Sequence, residues 1–421
     1  MAINFPSVDA RNRLNILCVS EHYYPLVGGS VTYVDNICKN MAYLDHNVFL
    51  VTQTDNKYLP CHQWTKQGAY FVYNLGHEDG TKLNTRQSRK YFLRELNKFF
   101  PELVKTVKPA ILHVLYGHYV LQTPNIKKSR IPVVWTVHNV PPHEYRPLKI
   151  TQIKWFNSMI TWTYFFIVGV IHRNNFRKFR YDAIIATSER TRLLLLNLKI
   201  SKSKVIFIPG GIDPSIFKPN FSNNKTTSFQ NKNTPLILCV AAVIKHKGQL
   251  VLLEAIRQVI KIYPKAFFVN VGPIRDAHYQ QEIDTLINQN SLQNHCSFIA
   301  TEINVADLVS YYNNCDVYVQ PSLEEGFCLT FLEAACCGKP IVGTTTGAIP
   351  EILNCAGSDN LCPPGNSECL TNKILKTLST TQKDKIDPIK QHNKIILNYS
   401  WLSVANRVNE LYKRTLKQES L

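Results

Sequence analysis

Residues 320–351 read QPSLEEGFCLTFLEAACCGKPIVGTTTGAIPE, and the fold is decided there. An apolar run, Val317–Gln320, ends at Pro321-Ser322. A short loop with Gly326-Phe327 leads into a helix that should begin near Cys328 or Leu329 and end at Cys337. A second apolar run follows at Pro340–Gly343. Buried parallel strands joined by crossover helices have this pattern. A helix start presents unpaired N–H groups and a partial positive charge, so it receives phosphate, and Gly326 lets a ligand come close to the backbone. Glu325 precedes the helix and Glu333 lies about one turn inside it. Acids beside an anion site make sense as acceptors for hydroxyls, and a sugar and a ribose supply hydroxyls on either side of a diphosphate.

The alternation extends in both directions. Upstream, short apolar runs fall at 14–20, 48–52, 110–116, 132–138 and 182–188, with helices expected at about 30–43 and 86–107. Further strands are expected at 236–243, 266–271 and 297–300, and helices at 249–262, 280–290, 305–313 and 404–417. This predicts an α/β protein with two tandem Rossmann-like domains and a cleft between them. The first domain spans 1–217. The polar stretch 218–235 (KPNFSNNKTTSFQNKNTP) is the linker, 236–400 form the second domain, and the helix of 401–421 crosses back to the first.

The chain has 421 residues, 45% hydrophobic and 19% charged, which excludes a disordered or low-complexity protein. Formal net charge is +18 and uneven: residues 1–220 hold 29 Lys and Arg against 13 Asp and Glu, and the remainder 19 against 17. The first half therefore attracts an anionic partner, a membrane surface or an acidic acceptor. No recognition motif accompanies the charge, so nucleic acid is not expected. The twelve cysteines are scattered without zinc spacing, and read as reduced thiols of a cytosolic protein. No metal site or cofactor is expected: His143 and Glu144 near His138 make a poor cluster, and no D-x-D pair stands in a metal-binding context. Met1–Arg13 has no apolar run of the secretory kind. Residues 153–171 (IKWFNSMITWTYFFIVGVI) are apolar and aromatic with basic flanks. Lys154, Asn157 and Ser158 interrupt them, which leaves a buried helix or one dipping into a membrane surface.

The segment at 320–351 resembles the donor-binding signature of the family-4 retaining glycosyltransferases of the GT-B fold. It matches at Pro321, Ser322, Glu325, Gly326, Phe327, Glu333, Ala334, Gly338, Lys339 and Pro340. YYPLVGG at 23–29 is similar to the family's N-terminal glycine loop, WTVHN at 135–139 to its strand-end histidine segment, IPGGIDPSIFKP at 208–219 to the segment closing its first domain, and HKG at 246–248 to the Lys-Gly opening the second. The resemblance implies transfer of a sugar, with retention, from a nucleotide diphosphate sugar to an acceptor hydroxyl, without a metal. It implies that Lys247 meets donor phosphate charge and that Gly28 and Gly29 admit the donor phosphate or the acceptor. Backbone amides of Gly326, Phe327, Cys328, Leu329 and Thr330 would hold the distal phosphate. Glu333 would accept from the ribose, Glu325 would hold hydroxyls of the transferred sugar near the reacting carbon, and His138 would hydrogen-bond that sugar or line the acceptor side.

The departures are Ala242, where the family has Arg five residues before the Lys, with His246 or Lys245 as substitutes; Cys328, where it has a second Gly, crowding the phosphate loop; and Gly347-Ala348 in place of Gly-Gly. They raise an alternative, a catalytically impaired GT-B protein that binds nucleotide sugar or a membrane without transfer. The basic, aromatic first half implies a glycan or glycolipid acceptor that is lipid-linked or membrane-proximal, and a cytoplasmic protein peripheral on the cytoplasmic face of a membrane.

Overall fold

The computed structural model describes residues 13–418 except 27, 56, 77–84, 141–175, 177, 221–233, 302 and 381–385. The apolar stretch 153–171, His143 and Glu144, and most of the linker lie outside the described residues. Contacts divide the chain into two units.

The first unit holds an eight-stranded sheet: β1 (Asn15–Ser20), β2 (Asn47–Thr52), β3 (Trp64–Gln67), β4 (Tyr70–Asn74), β5 (Ile111–Tyr116), β6 (Val133–Val137), β7 (Ala183–Ala186) and β8 (Val205–Phe207), in the order β3-β4-β2-β1-β5-β6-β7-β8. All neighbours are parallel except the edge pair β3–β4. Alternate residues of β1 feed two cores, because side chains alternate across a strand. Leu17 and Val19 pack with Phe92, Leu96 and Phe100 of the helix Thr85–Val107. Ile16 and Cys18 pack with Val34, Ile37 and Met41 of the helix Gly29–Tyr43 and with Val404, Val408 and Tyr412 of the terminal helix Trp401–Gln418. That last helix follows the second unit in sequence yet belongs to the first unit, because its apolar residues at 404, 405, 408, 411 and 412 form one buried stripe. The short strands β3, β4 and β8 escape the sequence pattern: β3 is only partly buried and β8 has three residues.

The second unit is a six-stranded, fully parallel sheet: β9 (Leu236–Val240), β10 (Phe267–Val271), β11 (Cys296–Ile299), β12 (Val317–Gln320), β13 (Ile341–Thr344) and β14 (Leu361–Cys362), in the order β11-β10-β9-β12-β13-β14. The division falls at Gly210/Gly211, whereas the sequence pattern ended the first domain at 217. Residues 211–217 pack with the second unit, where Ile212 N–H donates to Tyr399 O at 2.7 Å and the Phe217 ring lies 6.1 Å from Tyr312.

Helix starts in the second unit fall into two groups. Asp276, Asn304, Asn366 and Asp387 each accept a backbone N–H at the start of the helices Ala277–Gln289, Val305–Asn314, Ser367–Ser379 and Pro388–Tyr399. The helices Gln249–Ile262, Leu329–Cys336 and Ile349–Ala356 begin at Gly248, Cys328 and Ala348 with no side-chain cap. A cap is worth roughly 1 kcal/mol, and the helices that forgo it are those next to the quoted motifs. All twelve cysteines are free thiols, eight of them buried. Among the described residues no helix is long and apolar enough to cross a membrane, and no group of three metal-binding side chains occurs.

Candidate functional site

In the second unit two loops are locked together. The N–H groups of Leu323 and Glu324 donate to the His246 carbonyl at 2.8 and 3.3 Å. Gly248, at φ 74°, lies so close that a Cβ there would fall 2.2 Å from Pro321 O. This contact sets Lys247 against Glu325. The Lys247 ammonium donates to Glu325 Oε1 at 2.7 Å, and Ser322 Oγ donates to the same oxygen at 2.8 Å. Behind Ser322, Gln320 Nε2 donates to its hydroxyl at 2.8 Å, and Tyr318 donates to Gln320 Oε1 at 2.6 Å. Burial alone would raise the Glu325 carboxyl. The Lys247 charge and the bonds from Lys247 and Ser322 outweigh burial and hold it below the ordinary range. Lys247 is likewise pushed down by burial but raised on balance by Glu325. Both are ionised at neutral pH. Glu325 Oε2 has no partner among the described residues, so a hydroxyl can take it.

Glu333 lies one turn into the helix Leu329–Cys336, and its Oε2 accepts from the Tyr312 hydroxyl at 2.7 Å. Burial raises its carboxyl to about 7, against the opposing bond from Tyr312. Phe327 is buried, its ring 6.3 Å from Tyr399, so its side chain anchors the loop and only its backbone is left to meet a ligand. Leu329 and Thr330 are half-buried at the helix start. Tyr312, Ser322 and Gln320 were not picked out as positioning residues from sequence. Ser322 sits inside the motif and could have been; nothing in the sequence pairs Tyr312 with Glu333.

In the first unit Gly28 precedes the helix Gly29–Tyr43, whose start has no side-chain cap, and a Cβ on Gly28 would meet open space. His138 follows β6. Its Nε2 lies 3.1 Å from Leu115 O and therefore carries the proton, and its ring meets Tyr33 edge-on at 4.7 Å. Burial lowers His138 to about 4, so it is a neutral imidazole with its Nδ1 lone pair available. Behind it His113 bridges Tyr412 and Thr136 at 2.6 and 2.8 Å and is kept neutral by burial. The structure places Gly28, Gly29 and His138 in one unit and Lys247, Glu325–Thr330 and Glu333 in the other.

Residues 220–394 match the family described as glycosyl transferases group 1, and residues 27–216 match glycosyltransferase family 4. The chain belongs to the group 1 glycosyltransferases. Over 96% of its length this glycosyltransferase is 24% identical to a phosphatidylinositol N-acetylglucosaminyltransferase subunit of Arabidopsis thaliana, covering 83% of that protein. Over 60% of its length it is 27% identical to the N,N'-diacetylbacillosaminyl-diphospho-undecaprenol alpha-1,3-N-acetylgalactosaminyltransferase of Campylobacter jejuni, covering 65% of it. The sucrose-phosphate synthase of Thermosynechococcus elongatus superposes with a TM-score of 0.77 at 18% identity, over 97% of this chain and 100% of that one. Anabaena HepE in complex with UDP-glucose superposes at 0.70 and 17% identity, over 95% and 99%. The two parallel-sheet Rossmann-like domains are those of the GT-B fold.

Three departures of this glycosyltransferase from the family pattern now have physical readings. Cys328 adopts φ 77°, the left-handed conformation in which a glycine is unstrained. A consequence of losing that glycine is backbone strain. Gly347, at φ 52°, keeps its glycine where a Cβ would fall 2.7 Å from Glu325 Cβ, while Ala348 at φ −97° needs none. His246 is driven down by burial and by Lys247, so it supplies no charge in place of the arginine missing at Ala242.

Proposed function

We propose that the chain transfers an N-acetylhexosamine, with retention, from a UDP-sugar to a hydroxyl of a lipid-linked acceptor at the cytoplasmic face of a membrane. The observation that carries this reading is the Lys247–Glu325 pair, set beside the uncapped start of the helix that bears Glu333. The diphosphate takes Lys247 and the amides at Cys328–Thr330, Glu333 takes the ribose diol, and Glu325 Oε2 takes a sugar hydroxyl. Support for the sugar and the acceptor comes from relatives whose names pair N-acetylglucosamine with phosphatidylinositol and N-acetylgalactosamine with a diphospho-undecaprenol-linked sugar. Both acceptors carry phosphate on lipid.

In the reaction the bond from the anomeric carbon to the phosphate oxygen breaks and the acceptor oxygen bonds that carbon from the same face. The acceptor proton passes to the departing phosphate. The scheme uses no covalent nucleophile from the described residues. The barrier falls through alignment of the two substrates and through stabilisation of the charge that grows on the diphosphate. A metal is not part of this scheme. Losing one such contact costs about 3–4 kcal/mol, roughly 100- to 1,000-fold in rate. The test is release of UDP from UDP-N-acetylglucosamine with phosphatidylinositol as acceptor, in the presence of EDTA. Transfer that persists in EDTA and is abolished in Glu325→Ala supports the reading. UDP-sugar binding without transfer in the wild type would favour the impaired protein that Ala242 and Cys328 suggest.

A further inference from the structure

Arg89 lies outside every motif quoted above, yet it stands at the carboxyl edge of the first unit's sheet. Ser20 ends β1, Tyr116 ends β5, and the two are partners across a register shift that follows Val19. The strand order turns there, with β2 on one side of β1 and β5 on the other. Crevices beyond the carboxyl ends of parallel strands at such a reversal are where α/β sheets take ligands. Glu21 follows β1 and is only 3% exposed. Its Oε2 accepts from Arg89 Nε at 3.0 Å, while its Oε1 is buried without a partner among the described residues. Gly117, at φ 101°, covers this carboxylate so closely that a Cβ would lie 2.6 Å from Glu21 Cγ.

The guanidinium also lies over the Tyr119 ring, 4.9 Å from its centroid. Arg89 is thus held by its Nε and by its flat face, its side chain is 36% exposed, and neither Nη has a partner among the described residues. A guanidinium held this way offers a planar fork to an oxyanion. A carboxylate so fully buried, with one oxygen unsatisfied, is costly as a mere surface ion pair and is better explained as a rigid seat. His22 stacks on Tyr116 at 4.4 Å and is kept uncharged by burial and by Arg89, so it does not compete for an anion. The His138 ring lies 5.9 Å from the same Tyr116, which places the fork along the edge where an acceptor would lie.

We propose that Arg89, seated on Glu21, binds the phosphate that adjoins the accepting ring of a lipid-linked acceptor. The proposal rests on the transfer reading above and names the chemical feature of the acceptor that this site reads. A phospholipid headgroup and a prenyl diphosphate sugar share that feature.

The test is calorimetric titration of the full chain with four probes: dihexanoyl phosphatidylinositol, a short-chain prenyl diphospho-N-acetylhexosamine, myo-inositol and inorganic phosphate. One of the first two should saturate the wild type, and which one identifies the source of the phosphate. Its affinity should fall at least tenfold in Arg89→Leu, recover in part in Arg89→Lys, which keeps charge without the fork, and fall less steeply in Glu21→Gln. UDP affinity should stay within twofold throughout, which also reports an intact fold. The proposal is overturned if Arg89→Leu binds the phosphorylated acceptor as tightly as the wild type, if neither phosphorylated acceptor binds the wild type, or if myo-inositol or inorganic phosphate alone binds as well. Failure of the underlying transfer reading looks different: the wild type would neither bind UDP nor move sugar.

Discussion

Lys247 Nζ lies 2.7 Å from Glu325 Oε1, with Lys247 22% and Glu325 7% exposed. The cation expected to meet the donor's diphosphate is therefore already paired with the acid expected to hold the donor's sugar. Under the proposed function the pair is held ready for a ligand that brings both a negative charge and a hydroxyl.

Removing Lys247 alone leaves a nearly buried carboxylate uncompensated. Lys247→Met should destabilise the protein by about 3 kcal/mol or more, and adding Glu325→Gln should recover much of that loss. Urea unfolding of the two single variants and the double variant checks this. Additive losses would mean that the two charges do not interact. Transfer should fall at least ~100-fold in every one of them.

Glu333 gives a pH signature. Its carboxyl is raised to about 7 in the folded chain from an ordinary 4.5, so the folded state binds the extra proton between these values. Its contribution to stability is therefore greatest below pH 4.5 and is lost as pH rises through 7. Glu333→Gln should flatten the slope of unfolding free energy between pH 5 and 8. In the wild type, donor KM should rise as pH drops below 7 and the carboxylate proposed to grip the ribose is protonated. A donor KM independent of pH across that range would contradict the role given to Glu333.

Tyr312 supplies the hydrogen bond that opposes this rise. Tyr312→Phe should move the midpoint of the KM profile further upward and weaken the donor by roughly tenfold, the worth of a hydrogen bond to a charged group. An unchanged pH midpoint, measured by initial rates, would show that the bond does not tune the carboxylate.

Cys328 tests the strain argument. A residue other than glycine in the left-handed region costs about 1–2 kcal/mol, offset in part by glycine's freedom in the unfolded chain. Cys328→Gly should melt no lower than the wild type and keep donor turnover, whereas Cys328→Val, β-branched at φ 77°, should lose about 2 kcal/mol or more. Thermal melts with donor hydrolysis on the same samples decide it.

Much of the fold could be read from the chain. The inner strands are buried on both faces, so they are near-continuous apolar runs that stand out between helical periods. The edge strand Trp64–Gln67 and the three-residue β8 could not, since partial burial and shortness erase the signal. Of the candidate site, Glu325, Gly326 and Glu333 could be picked out because they match the resembled donor signature, which lies within one loop and one helix. The side-chain pairings were not legible, although Lys247 itself was named: Lys247 and Glu325 are 78 residues apart, Tyr312 and Glu333 are 21, and, away from this site, Arg89 and Glu21 are 68.

The amino-acid order by itself determined the alternation of strand and helix, the uncapped helix start after Gly326, and the two acids that flank it, because each depends only on local geometry and periodicity. Only the tertiary structure decided which charge faces which. The Gly248–Pro321 contact sets Lys247 on Glu325, and the packing of Trp401–Gln418 returns the chain's end to the first sheet. Such pairings are made by backbones that meet in space, and no period in the sequence records them.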